Sequence, residues 1–400
     1  LAVRMFNNHH DSRVNTGCRT NIILRLTNFT EYITINSVIW QMRFVPLNCI
    51  RDGSHLAKTI YGANGEVLLR GGTELSSPYI RRLSRIGLQG VYIADDLSED
   101  IEIANLMSEE LRVKVLKSIK GALSDAERGK PSKSNRNAHA MEELSMQIVD
   151  EILSKQSVVF NMIDIKTYDG YTFQHSVSVA VLSVLLGVSL GFKRAKLAKL
   201  AYSAIMHDIG KVFIEPKIIN KPDKLSQEEY EVVKKHPANG YAYLRDHYGM
   251  TEISARGVYE HHERYDGCGY PRNKTGTHIS EFGRIIAIAD VFDALVSDRP
   301  YRNGLFAAEA MEYLMGNSGR LFDPVYINAF VRKVALFPVG TCVLLSNGAI
   351  GLVMENYENY NMRPLVKVFS VDDCRIEPYT LDLCHDFNCL NITVIASVDM

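Results

Sequence analysis

Between Ala138 and about Val334, apolar residues return at helical spacing almost without interruption. Leu197, Leu200, Ala201, Ala204 and Ile205 make an i, i+3, i+4 stripe that predicts a helix running into the doublet His207-Asp208. Ser226 and Glu229 form a capping box ahead of a helix that ends near His236, and Pro237 steers that histidine away from α geometry. Ser280 opens another helix, whose apolar face includes Ile285, Ile286 and Ala289 and which presents Asp290. The longest apolar run, Val177 to Leu190, carries serines and is short for a bilayer span, so it predicts a buried core helix just after His175.

On either side of this stretch the period changes. From Arg43 to about Asp96 the pattern is a small α+β unit. Its strand-like runs His55 to Tyr61 and Glu66 to Leu69 flank Asn64-Gly65, a pair suited to a tight hairpin. Ser77-Pro78 then starts a helix from Tyr79 to Ile86, Gly87 can take its left-handed end, and Val91-Tyr92-Ile93 is the returning strand. Residues 101–123 read as a charged amphipathic helix and Ser124 to Asn137 as a polar linker. After Phe337-Pro338, Thr341 to Leu345, Ile350 to Met354, Leu365 to Phe369 and Leu390 to Val398 read as strands of a small β-barrel-like module.

The expected organisation is therefore mainly α, with segments 1–41, 42–96, 97–137, 138–335 and 336–400. The first segment begins at Leu1, is rich in Asn, Thr and Arg without steady period, and is expected to be an upstream extension before a natural start at Met42. A chain of 400 residues with 46% hydrophobic content can bury a full core in two or three domains. The net charge of -1 offers no electrostatic case for a nucleic-acid duplex or an acidic membrane as partner, so an anionic substrate would need a local site. Seven scattered cysteines without a CxxC pair point to reduced thiols in a cytoplasm.

Candidate chemistry concentrates in the helical stretch. His175, His207-Asp208, His236, His261-His262 and Asp290 follow one another among apolar stripes, where buried polar groups must find partners. Any one of them alone is an ordinary core histidine, cap or ion-pair partner. Together, neutral imidazoles and carboxylates suit iron, manganese or zinc, and an adjacent His-Asp pair lets the carboxylate bridge two ions. Lys211 lies three residues after Asp208, on the same face of a continuing helix, where its ammonium can meet phosphate charge or a leaving alkoxide. In the loop Glu263 to Pro271, Gly267 and Gly269 permit tight turns or close approach to a ligand, and Pro271 holds Tyr270 extended. A multinuclear hydrolase is the reading these residues support.

The motifs YTFQHS (171–176), HDIGK (207–211), HP (236–237), HHERYDGCGYP (261–271), IADVFDAL (288–295), DRPYR (298–302) and GRLFDP (319–324) resemble the HD-GYP subgroup of the HD-domain metal-dependent phosphohydrolases, which hydrolyse cyclic di-GMP. The resemblance covers roughly residues 140–335 and implies an all-helical HD-type domain. It implies His175, His207, Asp208, His236, His261, His262 and Asp290 as metal ligands, with Asp208 as the bridge, and Lys211 near the scissile phosphate. It further implies substrate contacts from Arg299 and Arg302, whose planar donors suit phosphate, and from the Gly269-Tyr270-Pro271 loop.

In some members an acidic residue four before the first histidine helps hold a third metal. Here Tyr171 stands in that place, a phenol being a poor substitute for a carboxylate at neutral pH. Two divalent ions, iron or manganese, are therefore expected, with metal-activated water cutting cyclic di-GMP or a related cyclic dinucleotide to linear pGpG rather than GMP. A homodimer or a signalling partner is compatible with the resemblance. Two rival readings are another HD-type phosphohydrolase acting on a different nucleotide and a non-catalytic adaptor that binds the cyclic dinucleotide. The GYP loop speaks against the first, and the full ligand set with Lys211 against the second.

Overall fold

The computed structural model describes residues 42–398 apart from 63–65, 87, 89, 99, 102–105, 130–134, 156–170, 222, 298–303 and 373. The chain opens with β1 (Arg43–Pro46), β2 (Ser54–Leu56), β3 (Ile60–Tyr61), β4 (Val67–Leu69), β5 (Glu74–Leu75), helix α1 (Ser77–Arg85) and β6 (Gly90–Ala94). Four strands form an antiparallel sheet in the order β1-β6-β2-β5, while β3 and β4 pair separately. Ser76, rather than Ser77, takes the cap position of α1, and the Ser77 hydroxyl donates instead to Asp52 at 2.7 Å. The expected turn at Asn64-Gly65 and the helix end at Gly87 lie outside the described residues, as does the expected extension 1–41.

Eleven further helices follow among the described residues: α2 (Glu109–Glu127), α3 (Asn135–Ser154), α4 (Tyr171–Ser189), α5 (Arg194–Ile205), α6 (Pro216–Ile219), α7 (Gln227–Val233), α8 (His236–Tyr248), α9 (Glu252–Glu260), α10 (Glu281–Val296), α11 (Ala307–Gly316) and α12 (Pro324–Val331). Helix α2 starts later than its charge pattern predicts, because the Ser108 hydroxyl caps it by accepting from Leu111 N at 3.3 Å. It also runs on into the expected linker, since Ala122 and Ala126 are buried in the core. Helix α4 is apolar all round and sits at the centre, packed against α3, α5, α10 and α12. Among the described residues no helix is long and apolar enough to cross a membrane.

The C-terminal strands are β7 (Cys342–Leu345), β8 (Ala349–Glu355), β9 (Leu365–Val371), β10 (Cys374–Asp382) and β11 (Val394–Ser397). They form an open antiparallel sheet in the order β10-β9-β8-β7-β11, not the barrel that the sequence suggests. The reason is that both faces of the central strands are occupied. Val343, Ala349, Val353, Val366 and Val368 continue the helical core, whereas Cys342, Leu352 and Phe369 pack with Met42, Ala57, Tyr92 and Ile101 of the N-terminal unit. A sheet with apolar partners on both sides has no interior to close around. Strand β10 escaped the sequence reading because it is an edge strand, mostly exposed, that contains Pro378 and a register shift between Arg375 and Tyr379.

Candidate metal centre

Five helices deliver the titratable side chains to one place. Helix α5 ends at Ile205, and His207 and Asp208 sit in the turn before a 3₁₀ segment, Ile209–Phe213. The expected continuing α-helix is thus replaced by a tighter one. Because residues three apart eclipse in that geometry, Lys211 still faces Asp208 and forms an ion pair with it. Gly210 lets this segment lie directly on the start of α8, for an added Cβ would stand 1.9 Å from the His236 carbonyl oxygen. The α7 capping box forms as expected, but α7 stops at Val233, and His236 begins α8 instead of ending α7. Pro237 is accommodated there because a first-turn residue needs no helical N–H partner.

His207, His236 and His261 share one orienting device. Each ring donates from Nδ1 to the carbonyl three residues earlier, namely Ala204 at 2.8 Å, Val233 at 2.8 Å and Val258 at 2.6 Å. Their Nε2 lone pairs are therefore left to point inward. Asp208 lies between two groups of imidazoles. Its Oδ2 is 3.4 Å from His207 Nε2 and 4.0 Å from His175 Nε2, while its Oδ1 is 3.3 Å from His236 Nε2 and 3.9 Å from His261 Nε2. Donor atoms of Asp208, His236, His261 and His262 lie within 4.8 Å of one another, as do those of His175, His207 and Asp208. Asp290 of α10 approaches His175 Nε2 to 3.1 Å and His207 Nε2 to 4.0 Å.

Two atoms of this cluster, His207 Nε2 and Asp208 Oδ1, are buried without a hydrogen-bond partner among the described residues. Leaving each so costs about 1–3 kcal/mol or more for a charged group, which a cation shared by imidazole and carboxylate would offset. The donor set therefore fits a divalent metal. The electrostatics agree. Burial raises the Asp208 carboxyl, but Lys211 and the imidazoles of His207 and His236 outweigh it and hold the group well below the usual range. Asp290 is held low in the same way, chiefly by His175 acting against burial. Burial, reinforced by neighbouring imidazoles, pushes His261 well below its ordinary value and His262 down to about 3, so both are neutral donors. For His175, burial is overcome by Asp290 and Asp293, which raise it to about 10; the charge those carboxylates attract is the charge a metal would bring.

All seven expected ligands converge, and Lys211 joins them at the rim, with 34% of its side chain exposed. Tyr270 stacks on His262 with ring centroids 4.8 Å apart and planes at 30°. Arg299 and Arg302 lie outside the described residues, and of Tyr171 only its place at the start of α4 is described. Three carboxylates were missed by the sequence reading. Asp293, buried, accepts from His175 Nδ1 at 2.7 Å, and its signal was its position one helical turn after Asp290. Glu263, also buried, accepts from the backbone N–H of Arg272 at 2.7 Å and of Lys274 at 3.0 Å, drawing the loop 264–274 closed behind the histidine pair. Glu260 accepts from Ser280 N at 2.6 Å and pairs with Lys274, which fixes the far side of that loop.

The chain is similar in sequence to known proteins. Residues 157–325 match the HD domain family. A cyclic di-GMP phosphodiesterase of Pseudomonas aeruginosa is 34% identical over 273 residues, which cover 68% of this chain and 64% of that protein. The cyclic di-GMP phosphodiesterase response regulator RpfG of Xanthomonas campestris is 38% identical over 165 residues, 41% of this chain and 44% of that protein. A 3'3'-cGAMP-specific phosphodiesterase of Vibrio cholerae is 37% identical over 180 residues, 44% of this chain and 41% of that protein. The chain spans less than two thirds of the length of each of these relatives.

Proposed function

We propose that this chain, which carries an HD domain across residues 157–325, is a cyclic-dinucleotide phosphodiesterase whose substrate is cyclic di-GMP. The observation that carries the reading is the placement of Asp208 between two groups of imidazoles, with a buried, unpartnered oxygen facing one of them. That arrangement supports a binuclear site, in which His175, His207 and Asp290 would hold one ion, His236, His261 and His262 the other, and Asp208 would serve both. Iron or manganese bound there would supply Lewis acidity to the phosphate and to the attacking water.

The chain's own groups do the rest. Lys211 is anchored by Asp208 yet open to solvent on one side, so its ammonium can donate to a phosphate oxygen or to the departing 3′ oxygen. Tyr270, stacked on His262 and held by the Glu263-braced loop, forms a wall beside the ligands. Arg299 and Arg302, immediately beyond α10, are the proposed phosphate contacts. Tyr171 in place of an acidic residue favours two ions over three, and linear pGpG over GMP as product. Scattered cysteines without a CxxC pair fit a reducing cytoplasm.

The test is turnover by anaerobically metal-loaded protein of cyclic di-GMP and 3′3′-cGAMP in parallel, with products resolved over time. The expected result is metal-dependent conversion of cyclic di-GMP that stops at pGpG. Stoichiometric binding without turnover would instead establish an adaptor. Likeness to the Vibrio cholerae enzyme gives the panel its second substrate, and faster cleavage of the mixed dinucleotide would reassign the specificity.

A further inference from the structure

Away from the histidine cluster, the described residues line a half-open cavity of about 580 Å³ where the N-terminal sheet meets the C-terminal one. This lies within the ~300–1,000 Å³ usual for small-molecule sites. Its walls come from segments far apart in sequence: β1, the turn before β2, β6 and the residues after it on one side, β9 and β10 on the other. Arg43, Arg51 and Arg375 all line it. Arg43 is committed, since its Nε bonds Asp95 Oδ2 at 2.8 Å. The side chains of Arg51 and Arg375 are exposed at its rim and make no ion pair or hydrogen bond among the described residues.

We infer that this cavity binds a phosphorylated small molecule, with Arg51 and Arg375 on the phosphate. Guanidinium is the side chain best matched to phosphate, because its planar fork meets two oxygens at once. Ile93 and Leu97 offer an apolar wall for the body of the ligand. Because β6 and β10 belong to different sheets, an occupant would tie the N-terminal and C-terminal units together. The inference does not depend on the hydrolytic reading of the histidine cluster.

The experiment is calorimetric titration of the full chain with GMP and with inorganic phosphate, using wild type, Asp208→Ala, the double variant Arg51→Ala/Arg375→Ala, and its conservative counterpart Arg51→Lys/Arg375→Lys. Circular dichroism melting of each variant checks folding. GMP binding is expected to persist in Asp208→Ala and to weaken in the double alanine variant by on the order of 100-fold, as for loss of charge-assisted bonds. The double lysine variant, which keeps charge but not the fork, should fall between. Glutarate at equal concentration should fail to displace GMP, and displacement would overturn the phosphate assignment. Binding that vanishes in Asp208→Ala, equal affinity in folded wild-type and double-alanine proteins, or no binding of GMP to the wild type would each overturn the site.

Discussion

Gly210→Ala is the sharpest test of how the centre is assembled. A methyl group there would stand 1.9 Å from the His236 carbonyl oxygen and 2.6 Å from Gly240 N, where real Cβ contacts essentially never fall under 3.0 Å. The 3₁₀ segment and α8 must therefore part by about 1.1 Å. Neither neighbour is the end of a flexible side chain; both are backbone within the first five residues of α8, so the helix moves as a body. That displacement carries His236 away from Asp208 by about twice the ~0.5 Å within which a working constellation must be held. Overpacking of this kind costs about 1–3 kcal/mol in stability, and a 1 Å misplacement about 100-fold in rate. The assay is metal content by mass spectrometry, thermal unfolding and cyclic di-GMP turnover on the same preparation. The expected outcome is a folded protein that has lost metal and turnover together. A variant with wild-type metal content and wild-type turnover would refute the claim that close approach at Gly210 sets the His236–Asp208 geometry.

Four further outcomes follow from the same structure. Asp208→Ala removes the carboxylate that faces both imidazole groups and should abolish metal-dependent hydrolysis; full turnover by the purified variant would remove the mechanism. Asp293→Asn weakens the group that orients His175, so metal affinity should fall about 10–100-fold in a competitive chelator titration, and an unchanged affinity would count against that role. Glu263→Ala strips the partners from Arg272 and Lys274 N–H, bonds to a charged group worth about 1.5–3 kcal/mol each. Hydrogen exchange across residues 267–275 should accelerate and KM rise while metal content holds; unaltered exchange would show that the brace is elsewhere. Leu352→Ala opens a cavity where the two sheets meet and should cost about 2–5 kcal/mol in urea unfolding, with no loss expected if the sheets are not packed there.

Much of the centre was legible before any coordinates. Histidines and aspartates placed beside apolar helical stripes demand partners, and their order matched a known set of motifs. The capping boxes at Ser226 and the cap at Ser280 were equally local, because such a cap depends on residues three apart. What misled was whatever depended on distant packing. Local charge placed the start of α2 too early and its end too soon, since the cap at Ser108 is reinforced by Glu151 of α3 and the last turn is held by buried alanines. The pattern after Asp208 read as α-helix because a 3₁₀ segment shares its i+3 neighbours.

The roles of Asp293 and Glu263 show the same division at the scale of one side chain. Both stood in motifs that were read, yet nothing in the spacing says that one carboxylate would find the back of His175 across 118 positions, or the other two backbone N–H groups of its own loop. Periodicity and capping determine which residues share a helix face, because they act within a turn or two. Whether the C-terminal strands close on themselves or lie open between a helical core and a second sheet is settled by which apolar surfaces meet. The same holds for the centre itself. The amino-acid order names its donors, but only the packing of α4, α8, α9, α10 and the turn after α5 gathers six of them into two groups that share Asp208, each within 4.8 Å, where buried imidazole and carboxylate could hold a metal ion.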